Sequence, residues 1–387
     1  MLIKMVPLVL GLLLAASIAV VAEGDGPDFS FGDVDFSVEY FKAAYNASSN
    51  CVVSPLSVRL ALAAFYQVAG ADVEETLQRA FYLPLEKSVA SNNAAGFLDE
   101  VASNQQLQVA FKTLKNQDPL SDEFASTLQK VFKTTAETVK FENKASVVST
   151  VNRWANEVTN GRIQNFLNDK DLDSTTELIL LNAVALKASW AEKFSTSKTD
   201  RQTFAFLEGP RQVDMMHETL EVLYKIDNAY HTIQIPYSED SDLSMWILVP
   251  RGPSGSFEGL MSSLSSDLLD DIETTAMPKV VDVSLPRFQI QTNQEAKHII
   301  ERMGYGELFT QNDFNVFKGR KSRLSDLRQS TFLTVDEEGT EAAAVSSVAT
   351  KFRSKNIQFN VNQPFVFIIK KISTDTTVFI GHYSNYQ

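Results

Sequence analysis

The sequence has very few residues of the kinds that form covalent cross-links or metal sites. It contains one cysteine and four histidines among 387 residues. The lone Cys51 excludes an internal disulfide, and its valine neighbours predict a buried, unreactive thiol. The four histidines show no metal-ligand spacing to the cysteine or to one another: His217, His231, His298 and His382. We therefore expect no metal site and no cofactor.

Signatures of enzymes and of repeat proteins are absent as well. The chain has no Gly-x-Ser-x-Gly elbow, no phosphate-binding loop and no Gly-x-Gly-x-x-Gly fingerprint. Counting residues does not rule a Ser-His-Asp triad in or out, but no segment nominates one. No repeat with a period of 20–50 residues occurs, which argues against a repeat architecture. These residues therefore nominate no catalytic site.

Positive charge is scarce relative to negative charge. The formal net charge of −13 argues against nucleic-acid binding and favours a soluble acidic protein. Hydrophobic residues make up 44% of the chain, which is ample for a large core. After residue 22 no apolar run reaches spanning length, so we expect no membrane association. Asn46 begins the only good glycosylation sequon, Asn-Ala-Ser, and would be modified if exposed.

Residues 1–22 have the pattern of a secretory signal peptide. Lys4 supplies the basic start, and an apolar run follows from Val6 to Val21. Small residues occupy the cleavage positions, so Glu23 would be the mature N-terminus. The alternative is an uncleaved anchor, because the run nearly reaches spanning length. The acidic segment that follows favours cleavage and therefore a secreted, extracellular protein.

The stretch from Glu337 to Ser354 is rich in small residues and lies between strand-forming runs. In an extended chain alternate side chains share a face. One set carries no charge: Thr340, Ala342, Ala344, Ser346, Val348 and Thr350. The other set holds both charges: Glu341, Ala343, Val345, Ser347, Ala349 and Lys351. The segment can therefore add to a sheet with its uncharged face inward. The two alternatives are a short helix capped by Thr340 and a flexible linker.

The same stretch resembles the hinge and reactive-centre loop of serpins, the serine protease inhibitors. The family hinge is an acidic pair, Gly, Thr, Glu and a run of small residues. The matching residues are Glu337, Glu338, Gly339, Thr340, Glu341, Ala342, Ala343, Ala344, Val345 and Ser346. In the family the scissile bond follows the fourteenth residue after the hinge Gly, which implies Arg353-Ser354 within a loop spanning about 337–356. The Phe359-Asn360 and Pro364-Phe365 element that follows supports this register over the rival basic sites Lys351 and Lys355.

Further motifs carry the resemblance along the chain. Ser54-Pro55-Leu56-Ser57 resembles the family element beneath the main sheet, although both serines are also explained as caps of the helix that begins there. The resemblance implies sheet-opening roles for Asn182 and for Trp190, and it implies that Arg287 pairs with Glu337. Gln329 occupies a position where the family usually has His, and this departure puts pH-dependent opening in doubt.

Periodicity predicts several elements. The apolar run from Leu178 to Trp190 is typical of a central strand covered on both faces. The stripe of apolar residues from Val151 to Phe166 predicts one helix, and alternation from Val283 to Ile290 predicts one strand. The fold class is thus α+β. The resemblance implies the serpin fold, with three β-sheets, about eight to nine helices and an exposed reactive-centre loop, as a single domain over residues 23–387.

The resemblance implies a secreted suicide inhibitor, not an enzyme, that forms a covalent acyl complex with a trypsin-like serine protease. We expect a monomer. Residues 92–106 lack Lys and Arg and carry two acids, so heparin binding through them is not expected. The main alternative is a secreted serpin-fold carrier or structural protein that has lost inhibition, which the small-residue hinge disfavours. A secreted hydrolase is the third possibility, and it lacks a recognisable nucleophile.

Overall fold

The computed structural model describes residues 33–103, 106–172, 175–186, 188–252, 255–339 and 356–386. These residues contain ten α-helices, three of which have seven or fewer residues. The helices are α1 Asp33–Ala44, α2 Pro55–Gln67, α3 Ala71–Phe81, α4 Lys87–Ser103, α5 Asp122–Val131, α6 Lys144–Val158, α7 Phe257–Ser263, α8 Ser266–Thr275, α9 Ala296–Arg302 and α10 Glu307–Thr310. No helix among the described residues is both long and apolar enough to cross a bilayer.

Sixteen strands occur in the same residues. They are β1 Cys51–Val53, β2 Leu107–Lys115, β3 Glu137–Thr138, β4 Leu178–Leu186, β5 Asp200–Phe206, β6 Gly209–Ile226, β7 Tyr230–Pro236, β8 Leu243–Pro250, β9 Met277–Pro286, β10 Phe288–Glu295, β11 Phe314–Phe317, β12 Arg320–Ser322, β13 Asp326–Val335, β14 Ile357–Asn360, β15 Phe365–Lys371 and β16 Thr376–Tyr383.

The strands form three sheets in the part of the chain that the structure describes. A nine-stranded sheet has the order β1-β16-β15-β8-β7-β6-β9-β14, with β5 also paired to β6. A five-stranded sheet has the order β10-β13-β4-β2-β3, and β11 pairs with β12. The predicted α+β fold with three sheets is confirmed.

The five-stranded sheet is covered on both faces. Its central strand β4 is buried at every position, as the continuous apolar run predicts. Alternate residues divide between two clusters: Leu178, Leu180, Val184 and Leu186 join the main core, and Ile179, Leu181, Ala183 and Ala185 join a smaller core. The main core includes α1, α2 and the nine-stranded sheet, and we call that side of the five-stranded sheet its back face. The smaller core includes α6, which lies on the front face.

Two sequence expectations were wrong. The helix predicted from Val151 to Phe166 ends at Val158, because Asn160 and Gly161 both adopt positive φ angles (50° and 83°). Ile163 and Phe166 nevertheless reach the same core from an irregular segment, which explains the helical stripe. The strand predicted from Val283 to Ile290 is two strands, β9 and β10, which belong to different sheets. Arg287 lies between them, after Pro286.

Candidate functional site: the seam between two parallel strands

The candidate site is the line along which β13 and β4 pair, which we call the seam. The two strands are parallel, with Asp326 opposite Ile179 and Phe332 opposite Ala185. Among the described residues their pairing ends there, although β13 continues for three more residues to Val335. On its other side β13 pairs with β10 along nearly its whole length, from Arg328 opposite Glu295 to Val335 opposite Phe288. The seam is therefore unpaired at its top.

A tight turn reverses the chain at the top of the seam. Asp336 and Gly339 form an antiparallel bridge, and the Gly339 N–H donates to the Asp336 carbonyl at 3.2 Å. Only Glu337 and Glu338 lie between them, so we call Asp336–Gly339 the hinge turn. Gly339 has a φ of 97°, which a side chain would disfavour. The chain therefore leaves β13 heading back towards the seam.

Gly339 also touches the segment that follows β4. A Cβ placed on Gly339 would lie 2.3 Å from the Trp190 nitrogen and 2.6 Å from the Ala188 carbonyl oxygen. Trp190 itself is buried and stacks on Tyr237, with ring centroids 4.4 Å apart. Gly339 thus lies between two parts of the chain: Asp336, which directly follows β13, and the segment that follows β4. It occupies the place where a strand inserted into the seam would begin.

The acidic residues of the hinge turn are held by ion pairs. The Arg287 Nε lies 3.3 Å from Glu337 Oε2, and the Thr199 hydroxyl donates to Glu337 Oε1 at 2.6 Å. The predicted pairing of Glu337 with Arg287 is therefore present. Burial raises the pKa of Asp336, and the neighbouring carboxylates of Glu337 and Glu338 raise it further. The turn concentrates negative charge where the chain reverses.

A buried polar cluster joins the two strands of the seam from the back face. Its members are Ser54, Ser57, Asn182 and Gln329, and we call them the seam cluster. Asn182 on β4 lies directly opposite Gln329 on β13. The Gln329 amide accepts from the Ser54 N–H at 3.1 Å and donates to the Ser57 hydroxyl at 2.7 Å. The Ser57 hydroxyl donates to Asn182 Oδ1 at 2.5 Å.

The seam cluster decides between the two interpretations of the serines. Ser54 occupies the N-cap position of α2, but its side chain makes no capping hydrogen bond. The Ser57 hydroxyl bonds to Asn182 instead of capping the helix. The interpretation of both serines as caps alone is thus wrong. Gln329 both donates and accepts, as predicted for an amide, and all four members of the cluster are uncharged and do not titrate near neutral pH.

Other sequence expectations lie partly outside the described residues. The hinge residues Thr340 to Ser346 and the bond Arg353-Ser354 lie outside them. Asn46 is exposed on the turn after α1. Cys51 is buried, and burial raises the pKa of its thiol to about 12, as an unreactive thiol requires. His382 is also buried, and burial lowers its pKa to about 4.

The structure brings together one Ser-His-Asp set that sequence reasoning missed. His217 lies 3.0 Å from the Ser284 hydroxyl through Nδ1 and 3.0 Å from Asp200 Oδ1 through Nε2. Ser284 lies on β9 and pairs with His217 on β6 and with Asn360 on β14. Because strand pairing engages the backbone around Ser284, it does not supply an oxyanion hole. We interpret the three side chains as a structural hydrogen-bonded link between β5, β6 and β9 rather than as a catalytic triad.

Comparisons with known proteins agree with this architecture. The family model described as "Serpin (serine protease inhibitor)" matches residues 32–386. The chain belongs to the serpin family. The leukocyte elastase inhibitor of Xenopus tropicalis is 29% identical over 374 residues, which cover 90% of this chain and 97% of the relative. Iripin-5 of Ixodes ricinus is 34% identical over 269 residues, or 67% of each chain.

A solved structure supports the fold directly. The solved structure of SRPN18 from Anopheles gambiae is similar, with a TM-score of 0.83 and 28% identity, and the match covers 92% of this chain and 97% of that one. The predicted serpin fold is confirmed. Serpins are protease inhibitors as a family, so membership favours inhibition over catalysis for this serpin.

Proposed function

We propose that this serpin is a secreted suicide-substrate inhibitor of trypsin-like serine proteases, with Arg353-Ser354 as the scissile bond. The observation that carries the proposal is the hinge turn at the unpaired top of the seam. The last residue of that turn, Gly339, lies between Asp336 and the backbone of Trp190, at the place where a new strand would enter. Inhibition by insertion requires such an entrance, whereas a carrier or structural protein does not.

The hinge turn also sets the register of an inserted strand. Asp336 lies opposite Gly339, so continuing the ladder pairs Thr340 with Val335 and Ser346 with Gln329. Val335 and Leu333 belong to the main core, and Gln329 belongs to the seam cluster. Opposite residues of an antiparallel pair share a face. The uncharged set of loop residues would therefore face the core, and the set with Glu341 and Lys351 would face the front.

Strand pairing supplies a driving force for insertion. A strand that enters between β13 and β4 from the hinge turn runs antiparallel to both, because those two strands are parallel to each other. One parallel ladder is replaced by two antiparallel ladders, and parallel pairing is slightly less stable per residue. The small side chains of Ala342 and Ala344 suit a back face that is already packed. Both features support the proposed insertion of a strand between β13 and β4.

The chemistry follows that of a trypsin-like protease. Its serine attacks the Arg353 carbonyl, the bond to Ser354 breaks, and the Ser354 nitrogen leaves as an amine with a proton from the protease histidine. The Arg353 guanidinium binds an acid in the specificity pocket. From Thr340 to Arg353 the extended chain spans roughly 45 Å at about 3.3 Å per residue. Insertion would carry the acylated protease to the far end of the sheet and distort its active site before water hydrolyses the ester.

Residues 1–22 and Asn46 support secretion within this proposal. The N-terminal pattern is that of a cleaved signal peptide, and the exposed sequon is accessible to glycosylation. Arg353, before the scissile bond, restricts the target to proteases that cut after basic residues.

A stability measurement tests insertion without a target protease. The loop is cut with a protease that serpins do not trap, such as a metalloprotease, and the thermal midpoint of the cut protein is compared with that of the intact protein. A large rise on cleavage is expected, because the freed segment adds a strand to the five-stranded sheet. An unchanged midpoint would instead favour the non-inhibitory carrier.

A further inference from the structure

The segment of residues 188–199, which we call the cover segment, holds the hinge turn from the β4 side. The Trp190 N–H donates to the Glu338 carbonyl at 3.1 Å, and the Phe194 N–H donates to the Glu337 carbonyl at 3.0 Å. The Trp190 indole donates to the Asp336 carbonyl at 2.9 Å. Three consecutive carbonyls of the hinge turn are therefore held by donors of one neighbouring segment.

A side-chain ion pair reinforces these backbone contacts. The Lys193 ammonium lies 2.8 Å from Glu338 Oε2. The adjacent Glu337 carboxylate is held by Arg287, which lies at the junction of β9 and β10. The two neighbouring carboxylates thus reach partners on opposite sides of the seam. Glu338 attaches the turn to the β4 side. Glu337 is bound from both sides, by Arg287 near β10 and by the Thr199 hydroxyl of the cover segment.

We propose that Lys193 is a positioning residue for loop insertion, acting through Glu338 to hold the hinge turn at the entrance of the seam. The proposal rests on the proposed function. Gly339 already lies between Asp336 and the backbone of Trp190, so the turn does not have to leave the cover segment when the following residues enter. The Lys193–Glu338 pair is therefore compatible with both the starting and the inserted sheet.

The Lys193–Glu338 pair affects what happens to the acyl-enzyme after it has formed, and not the rate at which it forms. After the loop is cut, insertion competes with hydrolysis of the ester, and a hinge turn held at the entrance favours insertion. The pair is partly exposed, with 21% of the Lys193 side chain and 36% of the Glu338 side chain accessible. Exposed ion pairs contribute modestly and are screened by salt. We expect loss of the Lys193–Glu338 pair to change the ratio of insertion to ester hydrolysis by about twofold to fivefold.

Four variants separate this role from a general effect on stability. Lys193→Met and Glu338→Gln remove the pair, and Lys193→Arg retains its charge. Lys198→Met is the matched control, because Lys198 lies on the same cover segment and pairs with Glu218 instead of the hinge turn. For each protein, two quantities are measured with trypsin: the number of inhibitor molecules consumed per protease inactivated, and the second-order rate of loop cleavage.

The expected result is that Lys193→Met and Glu338→Gln consume about twofold to fivefold more inhibitor per protease, while the cleavage rate stays within about twofold. Lys193→Arg and Lys198→Met should behave as the parent protein does. Raising the salt concentration should increase the number of parent inhibitor molecules consumed per protease inactivated. The same number for Lys193→Met should not change with salt. A thermal midpoint for each variant identifies any that fail to fold, and the charge-swapped double variant Lys193→Glu with Glu338→Lys then provides the test.

The inference is overturned if the parent protein traps trypsin and Lys193→Met consumes the same amount of inhibitor. It is also overturned if Lys198→Met has the same effect as Lys193→Met, since the hinge turn would then be irrelevant. A parent protein that traps no trypsin-like protease would overturn the proposed function itself, and the positioning role with it.

Discussion

Gly339 lies so close to Trp190 that a methyl group at Gly339 would come within 2.3 Å of the Trp190 backbone nitrogen. The contact joins the last residue of the hinge turn to the segment after β4, and the φ of Gly339 is 97°. Two independent constraints therefore require glycine here: the absence of a side chain, and a backbone conformation that other residues rarely adopt. This relationship fixes where a strand would enter the sheet.

Gly339→Ala is expected to impair inhibition more than it impairs cleavage. The new methyl group must displace the hinge turn from Trp190, and the positive φ adds about 1–2 kcal/mol of strain. Insertion should slow, so more of the protein is turned over as a substrate for each protease trapped. The measurement is the stoichiometry of trypsin inhibition. Gly209→Ala is the control, because Gly209, the first residue of β6, has a positive φ and open space around it. Equal stoichiometries for the two variants would contradict this account.

Ala342→Arg is expected to convert the protein into a substrate that is cut without forming a trapped complex. In the proposed inserted strand, the hinge-turn register would put Ala342 opposite Leu333, which is fully buried. A guanidinium there would have no partner in an apolar core. Glu341→Arg is the control, since its register partner Thr334 is half-buried and position 341 already carries a charge.

The two variants are compared by denaturing electrophoresis after reaction with trypsin. Glu341→Arg should retain a covalent complex, although it changes the charge by two units. A complex with Ala342→Arg as abundant as that of the parent protein would refute the insertion register.

Gln329→Leu is expected to destabilise the native sheet by about 1–3 kcal/mol, because the Ser54 N–H and the Ser57 hydroxyl lose a buried partner. Urea denaturation measures the loss. The side chain of Gln329 is fully buried, so Gln329→Glu tests the same site with a shape-matched carboxyl group. Gln329→Glu should make stability depend on pH, whereas the parent seam cluster does not titrate. If stability depends on pH in the same way in Gln329→Glu and in the parent protein, the claim that residue 329 contributes to stability through the buried seam cluster is contradicted.

Secretion and glycosylation have a separate test. Expression in a eukaryotic host is expected to release the protein into the medium with Glu23 at its N-terminus. The mass should fall after enzymatic removal of N-glycans, because Asn46 is exposed. Ser48→Ala destroys the sequon and should abolish this shift. Retention of residues 1–22 on a membrane-bound protein would favour the uncleaved anchor instead.

Much of the fold follows from local patterns, and the exceptions have clear causes. The apolar run of β4 is covered on both faces, as its composition predicts. The helix predicted from Val151 ends early because Asn160 and Gly161 terminate it. The Asn-Gly pair is a turn signal, and a prediction made from periodicity alone ignores that signal. The strand predicted across Arg287 divides because the chain changes sheets there, and alternation continues through such a change.

The site was only partly predictable for a different reason. The motif containing Glu337 and Gly339 nominates a hinge, but the two-residue turn depends on contacts with Trp190, which is remote in sequence. The Lys193–Glu338 pair joins residues 145 positions apart and has no local signature. A tertiary contact of this kind becomes visible only when the seam is assembled.

The most direct test of the central claim is to mix the mature protein with trypsin and analyse the products by denaturing electrophoresis and mass spectrometry. We expect a stable band at the summed mass and a released C-terminal peptide that begins at Ser354. Arg353→Ala should abolish both, while Lys351→Ala should retain them. Cleavage without a complex would contradict the proposed inhibition, and a peptide beginning at Phe352 or Asn356 would contradict the assignment of Arg353 as the residue before the scissile bond.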